Sequence, residues 1–434
     1  MGRTAKTLLL FMLANGLLIN WALPHLPWQP QTTTTLDYTE AFFDHAAHAD
    51  SWKAMRTALF YTDQTDETDE THEKPLYTAL YFDNNVRFQY PPSSLLVLEL
   101  LRASWLDDPI GNRRLNLVSW LCVWGLAGVL ARIFFLARRH FGLPAGASRS
   151  DEILLAAVAV GFTLTFYPIV RGYYLGQIQV WIDLLIGLVV WSWLERRKTA
   201  SGFFLSLICV IKPTLALVVI WGALRRQWDF IRGFAIPMAC FALLSLIFYG
   251  WDNHIDYLGV LSYISQQGEI FHPNQSMNGL LHRLLHNGNS LEWERNLLMT
   301  YNPWVHAGTV VSSLALMGAG LIASRATRQS TGPLELAIII TCATLASPTV
   351  WTHHYGVILP LFAIALPAVL ALDSRARPRD LALLVTSFML ISNNFRLLNR
   401  LADTPFNILQ SYVYFGGLIF LVLLFRLRAS ASRV

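Results

Sequence analysis

The sequence predicts an all-α polytopic membrane protein, and its composition and its apolar runs carry that prediction. Of the 434 residues, 54% are hydrophobic and 14% are charged, whereas charged residues make up about 25% of an ordinary soluble protein. Apolar runs long enough to cross a bilayer, which takes ~20 helical residues each, recur along the chain. Helices are expected because lipid offers no hydrogen-bond partner to an exposed backbone.

Basic residues at the ends of these runs predict the orientation, because lysine and arginine near span ends stay on the cytoplasmic side. Arg3 and Lys6 precede the first run, which we interpret as a retained first span with a cytoplasmic N-terminus. Further basic clusters occur at residues 138–139, 196–198, 225–226, 325–328, 375–379 and from 426 onward. Spans fitted between the clusters predict about twelve crossings in one domain, residues 1–434. We expect a bacterial inner membrane protein with both termini in the cytoplasm.

This orientation places two large loops in the periplasm, at residues 24–90 and 251–302. The first loop holds eleven acidic residues against four basic ones, which agrees with a position outside the cytoplasm because basic residues favour inner loops. The polar motifs discussed below then collect at the outer side of the membrane.

Two segments resist a simple count of spans. Residues 91–106 are short and begin with two prolines, so we interpret them as a re-entrant or interfacial helix. In residues 201–224, Lys212 and Pro213 interrupt an apolar run that has basic residues at both ends. A hairpin of two short helices with Lys212 at its outer tip fits this pattern best, and the alternative is one helix with a buried lysine.

Several function classes are excluded by the motifs that the chain lacks. It contains neither GxxxxGK[ST] nor GxGxxG, the loops that bind nucleotide phosphates. The four cysteines show no CxxC spacing, so neither a disulfide framework nor a zinc site is indicated. No metal and no cofactor are expected. Nothing suggests nucleic acid. An enzyme that works outside cannot draw on cytoplasmic nucleotides, so its activated substrate has to arrive attached to lipid.

One acidic residue stands out after the first span. Asp37 is followed by Glu40 and Asp44 on the same face of a predicted helix. A carboxylate just outside the membrane can take the proton from a sugar hydroxyl. The alternative is a solvated acid at the start of a helix.

Four basic side chains are candidates for binding an anion: Arg171, Lys212, His353 and His354. An ammonium group in hydrocarbon costs about 2.5 to 3.5 kcal/mol on insertion scales, so Lys212 needs an anion or a polar cavity, and a lipid phosphate would supply the anion. The histidines can donate to phosphate oxygens. The alternatives are snorkelling for Lys212, interfacial packing for the histidines and helix anchoring for Arg171.

Six motifs in order resemble a known family: LDYTEAFF, FQYPP, YLGQIQ, SGFFLSLICVIKPT, NQSMNGLLHRLL and SPTVWTHHY. The chain resembles the polyprenol-phosphate-mannose-dependent mannosyltransferases, glycosyltransferase family 87 of the GT-C superfamily. The resemblance implies a GT-C-like membrane fold with a large first periplasmic loop. It also implies transfer of a hexose, mannose in the family, from a polyprenyl phosphate donor to a lipid-linked or envelope glycan acceptor.

The resemblance also implies roles for particular residues. Asp37 corresponds to the catalytic acid of the first loop, and which of Asp37 and Asp44 acts as base stays open. The donor phosphate is expected at Lys212, His353, His354 and Arg171. The sugar or acceptor is expected at Gln177, Asn274, Gln275, Tyr90 and Asp44.

Charge considerations then predict an inverting transfer that needs no divalent ion, because the cations stabilise the departing phosphate. Two rival functions stay open. A transporter or flippase would use the same cations to guide a lipid headgroup, and a structural partner in envelope assembly would tolerate replacement of Asp37, Lys212 and His354.

Overall fold

The computed structural model describes residues 3–25, 33–64, 74–101, 110–143, 148–293, 301–323, 332–373 and 376–431. Of this structure 80% is helical, and the described ranges contain no strand. The predicted all-α membrane fold is therefore confirmed. Parts of the predicted first loop (26–32 and 65–73) and of the segment 91–106 (102–106) lie outside the described residues.

We number the α-helices in chain order. They are α1 (Arg3–Ala22), α2 (Thr35–Phe43), α3 (Asp50–Gln64), α4 (Leu96–Glu99), α5 (Gly111–His140), α6 (Arg149–Leu164), α7 (Tyr167–Leu175), α8 (Gln179–Leu194), α9 (Lys198–Ile211), α10 (Leu217–Leu224), α11 (Trp228–Gln267), α12 (Met277–Leu284), α13 (Pro303–Ala323), α14 (Pro333–Leu345), α15 (Leu359–Leu370), α16 (Arg377–Ser392) and α17 (Tyr412–Ala431). A π-helix, Thr78–Asp83, and several 3-10 turns, among them Pro92–Leu95 and Thr352–Ile358, complete the described structure.

Six helical segments of the described chain are long and apolar enough to cross a membrane, and the pair α6 and α7, bent by 55°, makes a seventh if it forms one span. Four shorter apolar helical segments lie among them: α8, α9, Pro213–Leu224 and α14. The predicted count of twelve crossings is not confirmed. Several apolar runs form short or broken helices, and run length alone does not separate these from full spans.

The predicted interruption at Lys212 is present. Helix α9 ends at Ile211 and a 3-10 turn, Pro213–Ala216, precedes α10. Trp193, near the end of α8 and hence near the start of α9, contacts both Trp221 of α10 and Phe230 of α11, with ring centroids 5.4 and 5.6 Å apart. The two ends of the interrupted run therefore lie at the same end of the bundle, as the hairpin interpretation requires.

The second predicted outer loop begins with helix rather than loop. Helix α11 continues to Gln267 and changes direction at Gly250, whose φ of 69° is a left-handed value that glycine adopts without a steric penalty. Beyond this kink, Asp256 accepts hydrogen bonds from the backbone N–H groups of Tyr77 and Thr78, both 2.7 Å. The second half of α11 thus packs against the first loop.

The segment after FQYPP is too short in its described part to cross a membrane. Eight residues, Pro92–Leu95 and α4, are helical, and at 1.5 to 2 Å per residue they span about 12 to 16 Å of the ~30 Å needed. The segment packs inside the bundle, where Ser93 Oγ donates to the carbonyl oxygen of Val210 on α9 (2.8 Å).

Helices α1 and α16 connect the two ends of the bundle. Lys6 pairs with Asp151 at the start of α1, while Asn20, near its end, accepts from the Thr35 N–H at 2.7 Å and donates to Asn393 after α16 (2.7 Å). We name the two ends by their residues. The Glu335 end contains Lys6, Asp151, Arg225, Glu335, Asp380, Arg426 and Arg428, and the Asp37 end contains Asp37, Arg171, Lys212, His353 and His354.

Candidate functional site

Asp37 closes the N-terminus of α2. Its Oδ2 accepts hydrogen bonds from the backbone N–H of Thr34 (2.5 Å) and from the Thr34 hydroxyl (3.0 Å), so it satisfies a donor that the first helical turn leaves without a partner. The side chain is exposed, and no described residue donates a hydrogen bond to its Oδ1. Asp37 therefore presents an oriented carboxylate with one oxygen available to a substrate hydroxyl.

The start of α2 is held by a polar segment that sequence reasoning missed. Asn394 Nδ2 donates to the carbonyl oxygen of Thr33 (2.9 Å), and Arg396 donates to the Thr33 hydroxyl (3.2 Å). The available signal was the polar run SNNFR at 392–396, which follows an apolar helix directly. This segment adds an exposed cation, Arg396, to the Asp37 end.

Arg171 lies on α7, which packs against α2. Its guanidinium donates to the hydroxyl of Tyr167, one turn earlier. The Tyr38 ring contacts the rings of Tyr167 and Tyr174, with centroids 5.9 and 5.2 Å apart. Burial raises the pKa of Tyr38 to about 12, so its phenol keeps a proton to donate at neutral pH. The residue that follows Asp37 therefore touches the helix that carries Arg171.

The two histidines lie near Arg171 and Lys212. They lie in the 3-10 turn Thr352–Ile358 and contact each other edge to face, with ring centroids 4.7 Å apart. Both cations lie close enough to His353 to interact with it electrostatically, and Lys212 does the same with His354. His354 Nδ1 accepts the backbone N–H of Trp351 (3.3 Å). In the neutral ring the proton is then on Nε2, where it can be donated to an anion.

Lys212 lies at the tip of the α9–α10 hairpin. Its half-buried side chain donates to Gln179 Oε1 (3.2 Å), and Gln179 is the second glutamine of YLGQIQ. Lys212, Gln179 and His354 line one small cavity together with Thr214 and Ser347. The structure therefore brings Lys212 and His354 together at one cavity, while their binding of the donor phosphate stays a prediction.

Behind Lys212 lies a carboxylate that sequence reasoning missed. Asp183 Oδ1 accepts from Gln179 Nε2 (2.8 Å), so the amide of Gln179 links the lysine to the acid. Asp183 is fully buried, and its Oδ2 accepts no hydrogen bond from the described residues. The signal was a single acid inside the apolar run QVWIDLLIG, since ionisable residues within spans are rare and costly.

Gln177 and Tyr90 meet through the first loop. The Ser51 hydroxyl donates to Gln177 Oε1 (2.8 Å) and shares a hydrogen bond with the Tyr90 hydroxyl (2.9 Å). Gln177 Nε2 reaches Asp50 at 3.5 Å. Both predicted residues are half-buried, so they join the loop to the YLGQ motif and keep limited access to a ligand.

The glycine of YLGQ permits this junction. Gly176 has a φ of 68°, and a Cβ added there would lie 2.1 Å from the carbonyl oxygen of His48. Only glycine allows the loop backbone to approach so closely. Asp44, the other predicted residue of this region, is exposed at the end of α2.

Asn274 and Gln275 do not face a cavity. Asn274 is fully buried and its Oδ1 accepts from the backbone N–H of Val350 (3.0 Å). Gln275 is 1% exposed, donates to the carbonyl oxygens of His272 and Gln410 (2.7 Å each) and accepts from two backbone N–H groups at the start of α17. In this structure both side chains bond to protein groups, and their contact with sugar stays a prediction. The amides instead hold the segment that leads to the histidines.

The described part of the chain has no group of three or more His, Cys, Asp or Glu side chains positioned to hold a metal ion. The expectation of a metal-independent reaction stays a prediction, since the geometry of these residues does not test it.

The model of glycosyltransferase family 87 matches residues 88–348, more than half of the chain. The matched region includes Arg171, Gln177 and Lys212. Asp37 and the histidine pair lie outside it, so their assignment depends on the contacts described above.

Two curated relatives have the same name, polyprenol-phosphate-mannose-dependent alpha-(1-2)-phosphatidylinositol mannoside mannosyltransferase. The protein from Mycobacterium tuberculosis is 25% identical over 64% of this chain and 61% of its own length. The protein from Mycolicibacterium smegmatis is 26% identical over 67% of this chain and 63% of its own length. The chain thus spans somewhat less than two thirds of these relatives. Together with its helical membrane fold, the match over residues 88–348 establishes that the chain belongs to glycosyltransferase family 87.

Proposed function

We propose that this protein transfers a mannosyl group from a polyprenyl phosphate donor to a lipid-linked or envelope glycan acceptor at the outer face of a bacterial inner membrane. The supporting observation is that the histidine pair lies near both Lys212 and Arg171, at the end of the bundle where α7 also packs against the helix of Asp37. A donor phosphate bound by the cations would place its sugar towards that carboxylate.

The reaction follows from charge. Asp37 accepts the proton of the acceptor hydroxyl while the acceptor oxygen bonds to the anomeric carbon. The bond from that carbon to the phosphate oxygen breaks, and the polyprenyl phosphate leaves with the bonding electrons. Lys212, Arg171 and the Nε2 proton of His354 stabilise the negative charge of the leaving group. A single displacement of this kind inverts the anomeric configuration.

Asp183 has a positioning role in this scheme. Through Gln179 it holds the Lys212 ammonium at the hairpin tip. Because the acid contacts the amide rather than the lysine itself, the ammonium keeps hydrogen atoms that can be donated to phosphate.

The outer-face orientation is supported by the charge of the first loop and by the basic residues of the Glu335 end, which are typical of a cytoplasmic side. Phosphatidylinositol mannosides, named for the two relatives, are the first acceptors to test.

Reconstitution into proteoliposomes tests the proposal. Wild-type protein given polyprenyl phosphate mannose and an acceptor in the outer leaflet is expected to form a new glycosidic bond, and NMR of donor and product is expected to show opposite anomeric configurations. EDTA should leave the rate unchanged if Lys212, Arg171 and the histidines suffice to stabilise the phosphate. Movement of donor between leaflets without any product would refute the transferase and support the flippase.

A further inference from the structure

A second, larger cavity lies beside the histidine segment. It has a volume of about 280 Å³ and lies between the first loop, the end of α11, the loop after α12 and residues 349–351. Sites for drug-sized molecules measure about 300 to 1,000 Å³, so the cavity lies just below the lower end of this range, a size that suits a sugar ring. Trp351 belongs to its lining and also donates its backbone N–H to His354.

The residues that line this cavity do not include Arg171, Lys212 or Arg396. The backbone N–H of His272 donates to the carbonyl oxygen of Ser290, in the loop that lines the cavity (2.8 Å). His272 also lies close enough to Arg171 and Arg396 to interact with them electrostatically. The cavity is therefore a neighbour of the proposed phosphate site rather than a part of it.

Its charge does not suit a phosphate. Glu269 and Glu292 line the cavity together with one cation, Arg87. Arg87 already donates to the Tyr81 hydroxyl (3.3 Å) and interacts electrostatically with Glu269. A lining with two acids and one engaged arginine favours a neutral ligand rich in hydroxyl groups.

Aromatic rings and amides complete such a lining. Trp293, 41% exposed, and the half-buried Trp351 offer ring faces on which the apolar side of a sugar can stack. Gln267 Oε1 is shielded from solvent and accepts no hydrogen bond from the described residues. A hydroxyl of a bound sugar would satisfy this acceptor, whose burial without a partner otherwise costs about 1 to 3 kcal/mol.

We propose that this cavity binds a neutral sugar ring of the acceptor glycan, while the polyprenyl phosphate donor occupies the neighbouring cationic site of Lys212, Arg171 and the histidines. The inference deepens the proposed function and rests on it for the role of acceptor. Binding of carbohydrate in the cavity can be measured independently of transfer.

The test uses the full chain in lipid nanodiscs, with Trp293→Ala and Glu292→Gln as cavity variants. Trp304→Ala serves as the matched control because Trp304 is 78% exposed and lies outside the cavity. Mannotriose and polyprenyl phosphate are the two probes, each measured by calorimetric titration. Mannotriose affinity is expected to fall about tenfold in Trp293→Ala, the size of one lost stacking contact, and to stay unchanged in the control. Polyprenyl phosphate affinity is expected to stay unchanged in all variants, which also shows that they are folded.

Kinetics separate the two proposals. If the wild type transfers mannose, the cavity variants should raise the acceptor KM and leave the donor KM unchanged. Transfer with an unaltered acceptor KM and equal mannotriose affinity in Trp293→Ala would overturn the cavity assignment alone. The expected mannotriose pattern in a protein that transfers no sugar would keep the cavity assignment and overturn the proposed function.

Discussion

Charged side chains have different partners at the two ends of the helical bundle. At the Glu335 end, Glu335 accepts hydrogen bonds from both Arg225 and Arg428, each at 3.0 Å, and Asp380 pairs with Arg426 at 2.7 Å. These groups are largely buried and each carboxylate has a cationic partner. Their arrangement joins α10, α14, α16 and α17.

At the Asp37 end the cations contact neutral groups. Arg171 donates to a tyrosine, Lys212 to an amide and Arg396 to a threonine. None of these three forms an ion pair with a carboxylate within the described residues. A cation in or near hydrocarbon costs free energy unless an anion pairs with it. A ligand that supplies the anion would remove this cost for Arg171, Lys212 and Arg396. The comparison therefore separates charges that are paired with carboxylates within the protein from charges that contact only neutral groups among the described residues.

The strongest test of this distinction is Asp37→Asn. An asparagine keeps an acceptor for the Thr34 N–H but cannot take a proton, so turnover should fall by about 10² to 10⁴ while the thermal unfolding midpoint stays unchanged. Initial rates in proteoliposomes measure the loss. Glu40→Gln, an exposed acid one turn later, is the control, and Asp44→Asn decides between the two candidate bases. Full turnover in purified Asp37→Asn would remove it from the mechanism.

Glu335→Gln should have the opposite profile. The change leaves two largely buried guanidinium groups without their carboxylate, which costs about 3 to 5 kcal/mol of stability, while kcat of the surviving folded protein should be retained. Thermal unfolding in detergent reports the shift. Asp229→Asn removes an exposed ion pair with Arg232 and should cost no more than about 1 kcal/mol. Equal unfolding midpoints for the two variants would contradict a structural role for the Glu335 cluster.

Lys212→Gln should lower kcat/KM without destabilising the protein. Loss of one donor to the leaving phosphate is expected to reduce the rate by about 10² to 10³, and no carboxylate in direct contact is left without its partner. The exposed Lys53→Gln, on the first loop at the same end, is the matched control. A large fall in the unfolding midpoint with normal kcat/KM would show that Lys212 stabilises the fold and does not act on the leaving phosphate.

The smallest effect concerns pH. Burial lowers the pKa of His282 from 6.5 to about 4. A hydrogen bond to the Gln267 carbonyl oxygen opposes this shift, and the charge of Arg283 adds to it. On acidification His282 becomes protonated in the unfolded chain before it does so in the folded protein. The free energy of unfolding therefore has its full value above pH 6.5 and decreases progressively towards pH 4, by about 2 kcal/mol at pH 5.

Unfolding midpoints between pH 7 and pH 5 measure this loss. In His282→Gln, whose amide can still donate to the carbonyl oxygen, the midpoint should fall less on acidification than in the wild type. His286→Asn is the control, because His286 is exposed with a φ of 48° and asparagine tolerates that backbone conformation. The same pH dependence in both variants would exclude His282 as its source.

Local patterns predicted the parts of the candidate site, and their contacts followed only from the fold. The break at Lys212 and Pro213 and the short acid-bearing helix at Asp37 were readable because proline and a helix start act on their own neighbours. The family resemblance assigned Asn274 and Gln275 to sugar, and the sequence did not reveal their burial because it depends on residues more than 70 positions away, such as Val350. Asp183 was missed because its link to Lys212, through Gln179 on the same helix, exists only once folding brings the hairpin tip to α8.

By itself the sequence determined that the chain is helical and inserts in a membrane, that a helix breaks at Lys212 and Pro213, and which residue types are available for phosphate chemistry. These properties depend on composition and on neighbours a few positions apart. Only the tertiary structure decided which charges are neutralised within the protein and which are not, because Arg225 and Lys212 look alike as basic residues beside apolar runs. Their partners, Glu335 for one and the amide of Gln179 for the other, are supplied by distant segments that folding brings together.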